Sequence, residues 1–505
     1  MNVYLIKASS GSDFSKYKAE TGGPSQSIFS TAAATPQGVG IEMTDETIGM
    51  KTNFKSKADV VAVFMSTPDA LRAYEIADEF KSQGKVVVLG GLHTRFCMEE
   101  AREHAHTLLI GEVEGVWEEL LADAASGDLK PLYQRSSPVD MAELNPYPTH
   151  IIKPSKYKYI WSVVVSRGCP NTCEFCLVPR FFPTYRHRPI PHIVEELKAL
   201  KKLGVSWVEL HADNLTADRA YAMELFKALA PLKMKFYGET TVLLARDLPL
   251  LEAAQKAGVK GLMFGIETPD EAALKAQGKA FVRPEKIKSY IQTVKSYGIE
   301  VWGDFLFGFD EHDPSIFQKT LDFVREIKVD RVFPHMVIPF PGSSTYEKME
   351  AEGRILTRDW SKYDGTQVVF QPKNMTPDQL EKGLEWFWVN QYGGRMGNAF
   401  YRFLGFDSGK ASDFEKKKSK SVPANSRRSP VKWKSLVALF LVFFSIWAGF
   451  GNIVFGLLFF LWSIYGIINR QTFMVEEIHQ GENPVLFWTI SITWLVLSVL
   501  SIMGF

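Results

Sequence analysis

The stretch S-R-G-C-P-N-T-C-E-F-C at residues 166–176 decides the fold, because it places three of the four cysteines of this 505-residue chain on one short segment. Cys169, Cys173 and Cys176 follow the spacing C-x3-C-x2-C. An apolar, β-branched run at 161–165 precedes them and predicts a buried strand. The cysteines should therefore lie on the loop that leaves the carboxyl end of a strand, where α/β proteins build their sites.

Three thiolates on one loop can ligate three irons of a 4Fe–4S cluster. The fourth iron would lack a protein ligand, since Cys97 is distant in sequence, and an open iron indicates chemistry rather than simple electron transfer. The alternative is a zinc site, with His187 or His192 supplying the fourth ligand. A disulfide does not suit a cytoplasmic loop. We interpret Cys97 as a small buried residue and not as a ligand.

The cysteine loop, with Phe175 before its last cysteine, resembles the radical S-adenosylmethionine superfamily. The resemblance covers residues 161–355 and departs from the usual pattern at Asp310, which replaces a glycine. Its further segments are RHR (186–188), VELHADN (208–214), GIE (265–267), FLFGFDE (305–311) and PFPGS (339–343).

This resemblance implies a partial (β/α)6 barrel over residues 150–372, a 4Fe–4S cluster on the three cysteines and S-adenosylmethionine on the open iron. One electron would then cleave the sulfonium bond, and the 5′-deoxyadenosyl radical would abstract hydrogen from an unactivated carbon. A closed cavity protects such a radical from quenching.

Polar groups at the strand ends become candidate cofactor-binding or substrate-binding residues. Asp213, Asn214, Glu239 and Glu267 are these candidates, and for each a loop-stabilising role is the alternative. His211 and His187 are candidates for acid–base work or for ordinary polar contacts, and no catalytic residue is assigned.

Residues 1–140 predict a Rossmann-like domain, because strands and helices alternate along them. Strands are expected at 58–64 and 85–89 around a helix at 70–83, with further strands at 3–6 and 40–43. The dinucleotide fingerprint G-x-G-x-x-G is absent from the sequence.

This domain resembles the cobalamin-binding domain that precedes one branch of radical S-adenosylmethionine enzymes. The matching segments are FMSTP (64–68), VVVLGGLHT (86–94) and LIGEVE (109–114), where Val113 replaces a glycine. The D-x-H-x-x-G motif, which supplies a histidine to cobalt, is missing: DETIG at 45–49 has no histidine. His93 is interpreted as structural.

The resemblance makes Ser66, Thr67, Gly90 and Gly91 candidate cobalamin-binding residues. Two adjacent glycines would let the backbone approach a cofactor closely. The alternative is a vestigial domain that only packs on the barrel.

The last 71 residues, 435–505, have the composition of a membrane segment, with only four Asp, Glu, Lys or Arg residues. The uncharged run 435–469 is broken at 449–452, which favours two short helices over one tilted helix, and 484–505 could form a third span. The preceding segment 409–434 is a basic linker, with nine basic and two acidic residues, which places the catalytic domains on the cytoplasmic side of the cell inner membrane. The chain start shows no signal peptide.

Residues 373–408 are expected to form a helical extension between the barrel and the linker. A helix is expected at 376–392, with Thr376 as its N-cap before Pro377. Its aromatic residues could pack on the barrel, which we favour, or lie at a bilayer surface.

Together these features predict an α/β, membrane-anchored radical enzyme that transfers a methyl group, with cobalamin, to a hydrophobic substrate such as a polycyclic isoprenoid, another lipid or a tetrapyrrole. A radical oxidative cyclase or C–C bond-forming enzyme with a vestigial first domain is one alternative, and a membrane-tethered iron–sulfur redox sensor is another. The expected partners are the membrane and an electron donor such as flavodoxin or ferredoxin. A net charge of +1 argues against nucleic acid.

Overall fold

The computed structural model describes residues 1–10, 23–152, 154–157, 161–392, 471–473 and 477–479. Contacts divide the chain into two units, 1–410 and 411–505. The described part of the second unit is an antiparallel pair of strands, at Gln471–Phe473 and Glu477–His479. No described helix is both long and apolar enough to cross a bilayer. The predicted linker and nearly all of the predicted membrane segment lie outside the described residues.

The first domain contains a six-stranded sheet in which every neighbouring pair is parallel, in the order β2-β1-β3-β4-β5-β6. All five residues of β3 are buried, as expected for a strand covered on both faces. The predicted alternation of strands and helices is confirmed. The strands are β1 Asn2–Lys7, β2 Gly40–Asp45, β3 Val60–Phe64, β4 Val86–Gly90, β5 Thr107–Ile110 and β6 Leu132–Gln134. The helices are α1 Gln26–Ala33, α2 Ala70–Ser82, α3 Leu92–Phe96, α4 Met98–His104 and α5 Val116–Ser126.

The second domain contains six parallel strands in sequential order, β14-β13-β12-β11-β10-β7, which confirms the predicted partial barrel. The strands of this sheet are β7 Trp161–Val164, β10 Trp207–His211, β11 Lys235–Thr240, β12 Val259–Glu267, β13 Glu300–Phe307 and β14 Arg331–Met336. Two short strands, β8 Ser166–Arg167 and β9 Arg186–His187, form a separate antiparallel pair. The helices are α6 Val178–Phe181, α7 Ile190–Lys202, α8 Arg219–Leu229, α9 Leu248–Ala257, α10 Glu271–Ala276, α11 Pro284–Ser296, α12 Ile316–Ile327, α13 Ser344–Ala351 and α14 Pro377–Tyr392.

The two faces of this second sheet differ in exposure. Along β13 and β14, buried residues alternate with half-exposed ones. Since side chains alternate between the faces of a strand, one face packs against the helices and the other stays partly open. We call this second face, which carries residues such as His211, Asp304 and His335, the concave face.

Helix α14 packs against the barrel, as predicted. Its start is a capping box: the Gln379 amide donates to Thr376 Oγ1 (3.1 Å), and the Thr376 amide donates to Gln379 Oε1 (2.8 Å). Phe387 is fully buried, with its ring 5.1 Å from that of Phe307 on β13. At the other end, the Tyr392 hydroxyl donates to the Val332 carbonyl oxygen of β14 (2.6 Å) and accepts from the Val332 amide (3.2 Å).

Candidate active site

The cysteine loop is held at its base by a two-stranded ribbon. Strands β8 and β9 pair antiparallel and enclose residues 168–185. Gly168 has φ +87, and a Cβ there would lie 2.4 Å from the Thr184 carbonyl oxygen, so only glycine fits. Its amide donates to Asp213 Oδ2 at the end of β10 (2.8 Å). Asp213 therefore orients the loop.

The three loop cysteines are partly buried free thiols. Burial raises the pKa of each thiol, that of Cys176 to about 11, and Lys279 provides the largest opposing influence on Cys173. The thiols also influence one another electrostatically, so they share one small region. Three soft donors on one short loop fit the ligand set of an iron–sulfur cluster.

Of the two histidines considered as a fourth zinc ligand, His187 makes other contacts and His192 is exposed. His187 Nε2 lies 3.2 Å from Asp218 Oδ2, and its ring stacks on Tyr221 with centroids 4.1 Å apart. His192 is exposed on α7. Within the described ranges, no three Cys, His, Asp or Glu side chains are arranged around a single metal ion.

Of the other predicted strand-end residues, Asn214 and Glu267 are buried and Glu239 is exposed. Asn214 is buried and accepts from Thr240 Oγ1 (3.1 Å), so it braces the ends of β10 and β11. Glu239 is exposed on the concave face. Glu267 is buried, with φ +64 at a bulge in β12, and pairs with Lys279 at 2.5 Å. Lys279 was not predicted, because only the folded chain brings it to the strand end.

Further titratable groups occupy the concave face. His211 Nδ1 lies 3.1 Å from Glu209 Oε1. Burial alone would lower the pKa of His211, but the charge and hydrogen bond of Glu209 outweigh it and raise the pKa to about 9. Asp304 Oδ1 lies 3.6 Å from His335 Nε2, and burial raises the pKa of Asp304 well above its usual range. Sequence reasoning missed Glu209, Asp304 and His335, although the period-2 pattern of their strands carried the signal.

A cavity of about 480 Å³ lies between the first domain and the barrel. Its first-domain wall comes from the carboxyl ends of β1, β3, β4 and β5, and its barrel wall includes His211 and Asp213. Ser66 and Gly91 line it, and Ser66 donates to Asp69 Oδ2 (2.5 Å). Gly91 has φ +108, and a Cβ there would lie 2.3 Å from the Met65 carbonyl oxygen.

Thr67 and Gly90 are not part of this cavity wall. Thr67 is buried on the other side of the strand end, with Oγ1 3.4 Å from His93 Nδ1. A Cβ on Gly90 would lie 2.8 Å from the ring of Phe64, so this glycine serves internal packing. His93 is buried with its ring 5.1 Å from that of Trp360, which agrees with the structural interpretation.

The cavity suits a large cofactor with both apolar and polar parts. Its apolar wall includes Phe64, Leu92 and Phe182, and its polar wall includes Ser25 and Lys7. Corrinoids combine an apolar ring with amide side chains, and both kinds of wall are present. No histidine of the described first domain lines this cavity, which agrees with the missing D-x-H-x-x-G motif.

Two glutamates of the segment GEVE (111–114) form ion pairs that link the first domain to the base of the cysteine loop. Arg167, two residues before Cys169, donates through Nη1 to Glu112 Oε1 (2.8 Å) and through Nη2 to Glu114 Oε1 (2.8 Å). Arg186, its partner in the ribbon, donates to Glu112 Oε2 (3.0 Å). The side chains of Arg167 and both glutamates are at most 9% exposed. We call Glu112, Glu114, Arg167 and Arg186 the inter-domain clamp.

Asp310, which departs from the family pattern, forms ion pairs with three basic side chains. Burial alone would raise its pKa, but bonds from Lys348, Arg354 and Lys373 outweigh it and lower the pKa to about 2. Its Oδ1 accepts from Arg354 Nη2 at 2.8 Å. The residue thus ties the end of β13 to α13 and to the segment that follows this helix.

Cys97 is half-buried, and burial raises its thiol pKa to about 12, so it stays protonated.

Comparisons with known proteins agree with this geometry. The radical SAM superfamily model matches residues 163–324. The bacteriochlorophyllide d C-8(2)-methyltransferase of Chlorobaculum tepidum is 30% identical over 364 residues, which cover 68% of this chain and 80% of that protein. The C-12(1)-methyltransferase of the same organism is 29% identical over 333 residues, 64% of this chain and 72% of that protein.

Among solved structures, the radical S-adenosylmethionine methyltransferase TsrM of Kitasatospora setae, with cobalamin and a 4Fe–4S cluster bound, superposes with a TM-score of 0.55. Its sequence is 15% identical, and the match covers 70% of this chain and 78% of that one. At this identity the likeness concerns the fold.

Proposed function

The chain belongs to the radical SAM superfamily, in the branch with an N-terminal cobalamin-binding-type domain, and from this premise we propose that it is a cobalamin-dependent methyltransferase for an unactivated carbon of a hydrophobic substrate. As a radical SAM enzyme it uses a 4Fe–4S cluster and S-adenosylmethionine. Both Chlorobaculum relatives are named as methyltransferases, which supports methyl transfer as the reaction.

The observation that carries the proposal is the cavity of about 480 Å³ between the domains. It extends from the strand ends of the first sheet to His211 and Asp213 of the barrel, and Arg167 beside the cysteine loop also lines it. A group held on the first domain would therefore face the same space as a substrate on the concave face. Methyl transfer needs such an arrangement, because donor and acceptor must meet.

The residues of the chain have separate tasks in this scheme. Cys169, Cys173 and Cys176 hold the cluster, and Asp213 fixes their loop through the Gly168 amide. The cluster with S-adenosylmethionine supplies a carbon-centred radical, and cobalamin supplies a transferable methyl group. Apolar side chains of the cavity, such as Phe181, exclude water from the space between them.

We further propose a tetrapyrrole or a polycyclic isoprenoid as the substrate class. The two Chlorobaculum relatives are named for a tetrapyrrole, which favours the first. The apolar composition of residues 435–505 supports anchoring at the inner membrane, with the catalytic domains on its cytoplasmic side. Such a position gives access to a hydrophobic substrate, and a flavodoxin or ferredoxin would supply the electrons.

Cobalamin binding can be tested by the absorbance spectrum of protein expressed with hydroxocobalamin. The Leu92→Trp substitution should reduce bound corrinoid, since Leu92 lines the cavity and is partly exposed. Leu71→Trp is the matched control, because Leu71 is similarly exposed on α2 and is not part of the cavity wall. Unsubstituted protein that emerges without corrinoid would favour an oxidative cyclase with a vestigial first domain.

The reaction is tested on anaerobically reconstituted protein with methyl-deuterated S-adenosylmethionine and a reductant. We expect 5′-deoxyadenosine, and a deuterated methyl group in a product formed from the pigment and lipid fraction of a deletion strain. Absence of 5′-deoxyadenosine would favour the redox sensor. The same deletion strain should accumulate the unmethylated precursor.

A further inference from the structure

The buried pair of Lys279 and Glu267 lies against the cysteine loop. Lys279 Nζ is 2.5 Å from Glu267 Oε1 and 3.1 Å from the Gly265 carbonyl oxygen, and both side chains are at most 10% exposed. The same Nζ lies 5.8 Å from the ring centroid of Phe175, the residue immediately before the third cysteine.

The turn that carries Lys279 is packed directly on this loop. The Glu174 amide donates to the Gln277 carbonyl oxygen (3.3 Å). Gly278 has φ +73, and a Cβ there would lie 3.2 Å from the Thr172 carbonyl oxygen and 3.9 Å from Cα of Cys173. The backbone immediately before Lys279 is thus in close contact with the cysteine loop at residues 172–174.

The strand end is shaped to accommodate this pair. A Cβ on Gly265 would lie 2.4 Å from Glu267 Oε1 and 2.6 Å from Lys279 Nζ. Glu267 adopts φ +64 at a register shift in β12, a conformation that non-glycine residues rarely take. Packing for its own sake would not select a buried ion pair, since apolar residues of similar volume are often as stable.

We infer that Lys279 and Glu267 set the reduction potential of the cluster, Lys279 by favouring the reduced state and Glu267 by opposing it. One-electron reduction adds a negative charge to the cluster. A fixed cation in a buried site stabilises that charge, whereas a carboxylate destabilises it. Both side chains act on the cluster through their charge, and the inference rests on the family's cluster and not on methyl transfer.

The test is a redox titration of the cluster in the full-length, anaerobically reconstituted protein without S-adenosylmethionine, followed by electron paramagnetic resonance. Lys279→Met should lower the potential, and Glu267→Gln should raise it. Each change should alter the equilibrium constant of reduction at least tenfold, about 59 mV for one electron. Lys275→Met, which removes the same charge from the exposed surface of α10, should leave the potential unchanged.

Shifts of Lys279→Met and Glu267→Gln in the same direction, or an equal shift in Lys275→Met, would overturn the inference. If Lys279→Met takes up no iron, the potentials of Glu267→Gln and Lys279→Arg test the inference instead. Lys279→Arg keeps the positive charge and should keep the potential of the unsubstituted protein, whereas Glu267→Gln should raise it. A charge effect requires the opposite signs, whereas general damage to the loop would move both variants alike. Methyl transfer can fail without affecting this result.

Discussion

The inter-domain clamp should contribute strongly to stability. In Glu114→Gln, Arg167 loses a carboxylate that accepts two of its hydrogen bonds, at 2.8 and 3.1 Å, in a site where both side chains are at most 9% exposed. Each bond to a charged group contributes about 1.5–3 kcal/mol, but Glu112 still balances the guanidinium. We therefore expect the free energy of unfolding to fall by about 3 kcal/mol, at the lower end of the cost of breaking a buried pair.

The assay is guanidinium chloride unfolding followed by circular dichroism, with iron content measured on the same samples. The transition midpoint should fall with an unchanged slope, and less iron should be retained, because the clamp ends two residues before Cys169. Glu119→Gln on α5, whose carboxylate is about half-exposed, should stay within about 0.5 kcal/mol of the unsubstituted protein.

A double-mutant cycle then isolates the pair. Arg167→Met should cost about as much as Glu114→Gln, and the double substitution should cost less than the sum by at least about 1 kcal/mol, because neither charge is left buried alone. Strictly additive costs, or a silent Glu114→Gln, would refute the reasoning that this contact holds the domains together.

Three further outcomes are expected. Cys173→Ala should lose the cluster iron while Cys97→Ala retains it, and an unchanged iron content in Cys173→Ala would contradict the ligand assignment. Gly127→Ala should lower stability by about 1 kcal/mol through its positive φ alone, with nothing within 4 Å of the new Cβ. Gly91→Ala should lower the free energy of unfolding by at least about twice as much, because its Cβ would also lie 2.3 Å from a carbonyl oxygen. Equal denaturation midpoints for Gly91→Ala and Gly127→Ala would exclude that overlap. His211, with its pKa raised to about 9, should stabilise the fold fully below pH of about 6.5 and lose this effect as pH rises through about 9. The difference in melting temperature from His211→Gln should shrink over that range, and a growing difference would be inconsistent with the assignment.

Local sequence patterns predicted the elements that frame the site. The apolar runs around 58–64 and 85–89 became β3 and β4 with ends shifted by at most two residues. The cysteine loop follows β7 as expected, because a buried strand and a turn are specified by neighbouring residues. The cavity at the strand ends follows from the same rule for parallel sheets.

Pairs that are distant in sequence could not be predicted in the same way. Arg167 and Glu114 are 53 positions apart, and no periodicity links them. Prediction was also limited for the neighbours Ser66 and Thr67. Successive side chains near a strand end point in opposite directions, so Ser66 lines the cavity and Thr67 is buried against His93. The pattern indicated the segment but not which of its two hydroxyls faces the cofactor space.

The contact between Tyr392 and Val332 has a consequence for self-association. Six strands do not close a barrel, so within the described sheet β14 has a free edge whose backbone groups could pair with another chain. The Tyr392 hydroxyl engages both the amide and the carbonyl of Val332, and α14 packs alongside. Helix α14 thus covers the edge of β14 and blocks its pairing with another chain. Protein that lacks this helix should form intermolecular β-structure and aggregate.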